Sequence, residues 1–454
     1  MRSLLLNFVN VVDIYTSKMS KYSHLSKQFL QNVQRKTKIR ADKPKINKIR
    51  SKFKTFYTKK YTCPHIPDVA QGPWIQTQKE HTVYDAGGYG MLGLGHNPIQ
   101  VMEELSKPQV MTNNMAPNIA QAQFSELLSK EIGNTTLNYC PYTKWICMNS
   151  SLEANSLALR IANKHNYKNP VRICIKKSFY CQMNKPCQLF SPYTEAYHVT
   201  SSIGTTQKIY EVSINNIEDL KQTIWNIHNN NEFLELIIVE PVMHERHPGI
   251  SLTPEYYRQI REITNKLGSM LLVDSVQAGF RCYGHLSIVD FPGFQCFDAP
   301  DMEILSKAMT AGQYPMSTLV LNKKAEKRFL SNLYRNDNSS DPRGLVVAAS
   351  VLSQIDISVK LNIVNSGAAL KKRLQKLQKK HPNFIKHVTG TGLLVSMHLN
   401  PQYKSTRVIQ DLCVHGLNIS YGVGNAVLFT PWFYLNEFEM DYMNNIIDDY
   451  FSKL

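Results

Sequence analysis

Ser269-Met270-Leu271-Leu272-Val273-Asp274-Ser275-Val276-Gln277-Ala278-Gly279-Phe280 is the stretch that decides the fold of this 454-residue chain. Ser269 to Val273 is a strand-sized apolar run, and an acid and an amide follow just past its end. In an open α/β sheet, ligands bind beyond the carboxyl ends of the strands, so Asp274 and Gln277 stand where chemistry belongs. Upstream, Thr253-Pro254 starts a helix. Thr can cap, Pro suits the first turn, Tyr256, Ile260, Ile263 and Leu267 form one apolar face, and Gly268 ends it. Further strand-like runs are Trp145 to Met148, Val171 to Ile175, Leu234 to Val239, Met302 to Leu305 and Ser317 to Leu321. A second helix covers Glu153 to His165, with Ala154, Leu157, Ala158, Ile161 and Ala162 inward. Alternating strands and helices of this kind predict an α/β fold with a largely parallel sheet covered by helices.

After Arg343 the texture changes. A helical stretch from Leu345 to Lys380 ends in the basic Lys371-Lys372-Arg373 and Lys379-Lys380, short strands include Gly392 to Met397, and a terminal helix starts at Glu437. A chain of this length exceeds what one core usually serves. The expected division is a basic extension (1–60), a segment joining the small domain (61–110), a large α/β domain (111–343) and a smaller α+β domain (344–454).

The net charge of +17 is unevenly spread. Residues 1–60 carry 16 Lys and Arg against Asp13 and Asp42, whereas the other 394 residues hold 36 basic and 33 acidic groups. The basic excess belongs to the extension, so no nucleic-acid surface is expected on the folded body. The extension itself reads as a basic tail, an organelle-targeting or export segment, or an arm for polyanions. No apolar run reaches the roughly 18 residues of a membrane helix, and the expectation is a soluble, cytoplasmic protein. Nine Cys without a Cys-x-x-Cys pair argue against a disulfide framework and a structural zinc site.

Five groups of residues bear on chemistry. Gly88-Tyr89-Gly90-Met91-Leu92-Gly93 matches a dinucleotide fingerprint literally, but Gly95 and Pro98 deny it a following helix, so it reads as a turn. Asn149-Ser150-Ser151-Leu152-Glu153-Ala154-Asn155 follows a strand and opens a helix, which leaves backbone N–H groups of Ser151 and Leu152 free to meet a phosphate. A simple Ser-capped helix is the other reading. Asp274 is alone a turn residue as readily as a ligand. Lys307, in Ser306-Lys307-Ala308-Met309, ends an apolar strand and is alone weak evidence of function. His244, Glu245 and His247 lack the further ligands a metal site needs.

Taken together, Tyr84-Asp85-Ala86-Gly87, Leu94 to Pro98, Asn149 to Asn155, Val239-Glu240-Pro241-Val242, Asp274 to Phe280 and Ser306-Lys307 resemble the class-III aminotransferases, fold-type-I enzymes that depend on pyridoxal phosphate. The resemblance spans about residues 80–440. It implies that Lys307 holds the cofactor as a Schiff base and shuttles a proton, and that Asp274 pairs with the pyridine nitrogen. It implies that Gln277 lies beside the ring hydroxyl and Phe179 on the ring face. It makes Ser150, Ser151, Leu152, Tyr180, Glu240 and Ser339 further cofactor-binding candidates. An amino donor, a keto acceptor and a homodimer with shared active sites are implied too.

The departures matter equally. Ser151-Leu152 stand where the family has Gly-Ser, so a hydroxyl is lost and a side chain added where backbone should approach phosphate. Tyr180-Cys181 replace His-Gly after the aromatic. Asp337 falls where the family has a Thr that reaches a phosphate across the dimer, although Ser339 or Ser340 could serve, and Asp337 could turn to Arg335 or Arg343. The alternatives are another pyridoxal-phosphate reaction on the same fold (aminomutase, decarboxylase or racemase) and a degenerate, non-catalytic binding scaffold. Arg281, Arg343 and Arg407 are candidates for a substrate carboxylate by location alone.

Overall fold

The computed structural model describes residues 67–454, except 78–80, 112–115, 136–138, 164–168, 177, 179–207, 245–247 and 330–338. Of the first 66 positions it describes only Ser20, Ser23, His24 and Lys27. The reading of residues 1–60 as a tail therefore lies outside the described residues. Two compact units are present. One takes the described residues up to Lys107, residues 311–313 and 353–454; the other takes 108–310 and 314–352.

In the first unit, β1 (Pro67–Gln71), β2 (Trp74–Thr77) and β3 (Thr82–Asp85) form an antiparallel meander, strands absent from the sequence reading. The second unit is built on β4 (Tyr142–Met148), β5 (Pro170–Ile175), β6 (Lys208–Val212), β7 (Phe233–Val239), β8 (Met270–Asp274), β9 (Met302–Leu305) and β10 (Ser317–Asn322). They form one seven-stranded sheet in the order β4-β10-β9-β8-β7-β5-β6. Only β10 runs against the rest, since it pairs antiparallel with both β4 and β9 while every other pairing is parallel. The carboxyl ends of β4, β5, β7, β8 and β9 therefore lie along one edge of the sheet. This is the α/β architecture expected from the sequence.

The helices follow from local signals. Ser150 caps the helix Ser151–Ala162, which packs the buried Ala154, Leu157, Ala158, Ile161 and Ala162 with Leu272, Ile304 and Leu319 of the sheet. Each large aliphatic side chain buried this way contributes about 1.5–3 kcal/mol of transfer free energy. Thr253 caps Pro254–Leu267, and Gly268 ends it in the left-handed region at φ 69°. The expected apolar face was partly wrong. Leu267 is exposed and Ile263 half-buried, whereas Tyr257, Arg261 and Thr264 are buried. Arg261 takes its place by reaching the buried Asp301 at 3.1 Å, an attraction that apolar periodicity does not register.

The long stretch after Arg343 is two helices, Pro342–Gln354 and Ile357–Lys380. Asp356 breaks it, because its side chain accepts from Val359 N and so caps the second. The first unit is completed by a second sheet, in which β11 (Ile385–Thr391), β12 (Leu394–Leu399), β14 (Ser420–Gly422) and β15 (Ala426–Phe429) run in the order β11-β12-β15-β14. Between them β13 (Leu417–Asn418) pairs parallel with β3. The helix Glu437–Ser452 closes the chain, started by a capping box between Asn436 and Glu439. No single described helix is long and apolar enough to cross a membrane. Cys140, Cys147, Cys174, Cys282 and Cys296 are free thiols, and Cys413 is disulfide-bonded.

Candidate active site

Ser150, Glu240, Asp274, Gln277 and Lys307, five of the residues that the sequence singled out, end or follow strands at the carboxyl edge of the large sheet. Asp274 ends β8 and pairs in register with Ile304 of β9; Lys307 lies three residues beyond that partner. Both strands have hydrogen-bonded neighbours on each side, so their ends are fixed by the sheet. Asp274 is 7% exposed, and its Oδ1 accepts from Val276 N at 2.8 Å. Ser275 N donates to Ile304 O at 3.1 Å, which ties the following turn to β9. Gln277 is buried in that turn. Lys307 opens a single 3-10 turn, Lys307–Thr310, with φ +47°, a conformation non-glycine residues adopt only when their surroundings hold them there. Ser306 beside it bonds Met316 O and Ser317 Oγ of the β10 entry.

Ser150 follows β4 at the same edge. Its side chain accepts from Glu153 N at 3.3 Å, so the cap reading and the anion-facing reading share one residue. Asn155 Nδ2 donates to Ser151 O at 2.7 Å and steadies the first turn. Leu152 is 51% exposed. Glu240 follows β7, is buried, and accepts from His244 N, with His244 Nδ1 at 3.5 Å. Ser339 is buried. Phe179, Tyr180, Cys181, Arg335, Asp337, Glu245 and His247 lie outside the described residues. Among the described residues no cluster of His, Cys, Asp and Glu could hold a metal.

The Gly88–Gly93 run is a turn, as read. A Cβ on Gly88 would meet Leu92 Cβ at 2.9 Å and one on Gly93 would meet Phe433 at 2.9 Å, so these glycines serve packing. Nearby, Asp85 accepts from His96, Gly87 N and the Asn418 amide. Burial works to raise its carboxyl, but His96, Gly87 N and Asn418 outweigh it and hold the group below its usual value.

The three arginine candidates differ sharply. Arg281 is completely buried, and burial lowers its guanidinium to about 10. Arg343 is held by Asp341 through two nitrogens, at 3.0 and 2.6 Å. Arg407 bonds Asp411 on an exposed helix face. Sequence reading missed Glu303, a buried acid in β9 ringed by hydroxyls. Its signal was visible, since Met302-Glu303-Ile304-Leu305 sets one charge in an apolar run.

The donor set fits pyridoxal phosphate in its chemistry. A lysine and a buried acid leave adjacent strand ends, and a capped helix start with its N–H groups stands at the same edge. Comparison with known proteins agrees. The family model for class-III aminotransferases matches residues 56–451, which extends the 80–440 resemblance at both ends. An acetylornithine aminotransferase from Prochlorococcus marinus is 25% identical over 397 residues, covering 84% of this chain and 91% of that protein. The ornithine aminotransferase of Saccharomyces cerevisiae is 23% identical, covering 72% and 79%. Among solved structures, an ornithine aminotransferase from Toxoplasma gondii superposes with a TM-score of 0.77 at 18% identity, covering 90% of this chain and 95% of that one. With strand ends, helix start and family model in agreement, this chain belongs to the class-III aminotransferases.

Proposed function

We propose that this chain is an active aminotransferase whose chemistry is carried by Lys307 and Asp274 at the carboxyl edge of β9 and β8. The carrying observation is their placement: Asp274 is buried at a strand end and in register with Ile304, three residues before Lys307. When bound, pyridoxal phosphate supplies an aldehyde that condenses with amines and a ring that accepts electrons. Lys307 would hold the aldehyde carbon with loss of water, and once a donor amine had displaced it, its freed amine would carry the proton from the donor's Cα to the cofactor carbon. Asp274, kept from solvent, would hold the proton on the ring nitrogen. The Ser150 hydroxyl and the N–H groups of Ser151 and Leu152 would bind the phosphate. Gln277, Phe179, Tyr180 and Glu240 would line the ring, and Ser339 would reach the phosphate of a second copy.

A homodimer is part of this reading. Val110, Met111, Ile119 and Tyr139, large apolar side chains of the sheet unit, are all exposed in the single chain, and a second copy is the occupant we propose for them. Amino acids of the ornithine type are the first donors to assay, because relatives across most of the chain's length carry those names. Incubation with such a donor and a keto acid tests the function. Stoichiometric conversion of the keto acid to its amino acid supports transamination. Turnover of the donor with no keto acid consumed would instead mean a decarboxylase, racemase or aminomutase.

A further inference from the structure

Glu303 stands between Met302 and Ile304 in a strand otherwise made of apolar residues, and it is completely buried. Its carboxylate accepts from Tyr142 Oη at 2.6 Å, Ser287 Oγ at 2.5 Å, Ile288 N at 2.9 Å and the Ser275 hydroxyl. All four partners are neutral. Burial pushes this carboxyl up, and the Ser275, Ser287 and Tyr142 hydroxyls with Ile288 N oppose the rise. Taking a carboxyl out of water is expensive, and a valine or isoleucine would fill a central strand position without that cost. What the carboxylate gains the fold is a four-way tie: β4 through Tyr142, the turn after β8 through Ser275, the 287–288 segment, and β9 itself.

One arm of that tie ends beside the proposed site. Ser275 directly follows Asp274, and its hydroxyl is held by Glu303 while its N–H is held by Ile304 O at 3.1 Å. Asp274 in turn accepts from Val276 N at 2.8 Å. The turn is thus pinned from three directions, and the Glu303 arm reaches it through a side chain that lies outside the turn. We infer that Glu303 is a positioning residue that, through the Ser275 hydroxyl, fixes the turn presenting Asp274 to the cofactor's ring nitrogen. The inference rests on the aminotransferase reading above and concerns how its central acid is aimed.

The test titrates the purified cofactor-free protein with pyridoxal phosphate and follows the long-wavelength band and the pH midpoint of that band. The variants are Ser275→Ala, Glu303→Gln, the double variant, and Glu235→Gln as a control in the buried Arg172–Glu235 pair of the same sheet. Losing a hydrogen bond to a charged group is expected to weaken cofactor binding about tenfold in each single variant and to move the midpoint. The double variant should be no worse than the worse single one, because both break one connection. Glu235→Gln should lower the melting temperature and leave both cofactor readouts unchanged. Ser275→Ala removes one oxygen and keeps the test alive if Glu303→Gln does not fold. Wild-type affinity and midpoint in both single variants, or additive losses in the double, would overturn the positioning role alone. Absence of a band in the wild type would overturn the aminotransferase reading and this inference together.

Discussion

The turn after β8 and the helix start after β4 occupy the same edge of one sheet, yet they are held very differently. Asp274 leaves a central strand with parallel neighbours on both sides, and its turn is tied by Val276 N, Ile304 O and the Ser275–Glu303 bond. Ser150 leaves β4, an edge strand of the sheet, and caps its helix through Glu153 N at 3.3 Å, while Asn155 Nδ2 holds Ser151 O within the same turn and Leu152 is half-exposed. A centre fixed by many partners tolerates little substitution, whereas an open helix start can change at modest cost. Of the departures from the family pattern, those among the described residues, Ser151 and Leu152, sit at this open start, while Asp274, Gln277 and Lys307 remain.

The sharpest way to break this contrast is at its fixed end. Asp274→Asn keeps the shape but removes the charge, and should lower kcat on the order of 10²–10³-fold in a single-turnover assay at saturating cofactor. A loss below tenfold would mean that another group supports the ring nitrogen. Disruption elsewhere in the sheet should act on stability instead. Arg172 and Glu235 form a buried pair at 2.6 Å between β5 and β7. Arg172→Met strands the carboxylate and should cost about 3–5 kcal/mol in urea unfolding, much of it recovered in Arg172→Met/Glu235→Leu. The open end invites improvement. Leu152→Ser offers a hydroxyl to the phosphate and should tighten pyridoxal phosphate binding about tenfold by absorbance titration.

The smallest effect belongs to the other unit. Asp85 titrates below its ordinary value of 3.8, chiefly against burial and through His96. Its contribution to stability is therefore complete above that ordinary value and lost as pH falls through the lowered one. His96→Ala should cost about 1 kcal/mol at neutral pH and move the acid-unfolding midpoint upward. An unchanged midpoint would mean that Gly87 N and Asn418 suffice.

The parts of the fold legible in sequence are those where one local signal agrees with the packing. Met270 to Val273 and Leu234 to Val239 are buried strands because both faces are covered, so an uninterrupted apolar run identified them. Thr253, Pro254 and Gly268 marked their helix by capping chemistry alone. The strands β1 to β3 and β6 carry polar residues such as Gln71, Gln76 and Glu211, and no run announced them. Leu267 was misplaced because Arg261, drawn to Asp301, claims the inward face. Residues that act at a distance in sequence were the hardest to see. Glu303 gathers Tyr142, Ser275 and Ser287 across up to 161 positions of chain, and nothing in the local pattern names its partners.

In the proposed function, Lys307, set by Asp274's neighbouring strand end, is the residue that captures pyridoxal phosphate. The most direct measurement is the absorption spectrum of the purified chain with added cofactor, recorded beside Lys307→Ala. A long-wavelength band in the wild type, shifted by an amino donor and absent from the variant, is the expected result. An identical band in Lys307→Ala, or none in the wild type at saturating cofactor, would contradict it.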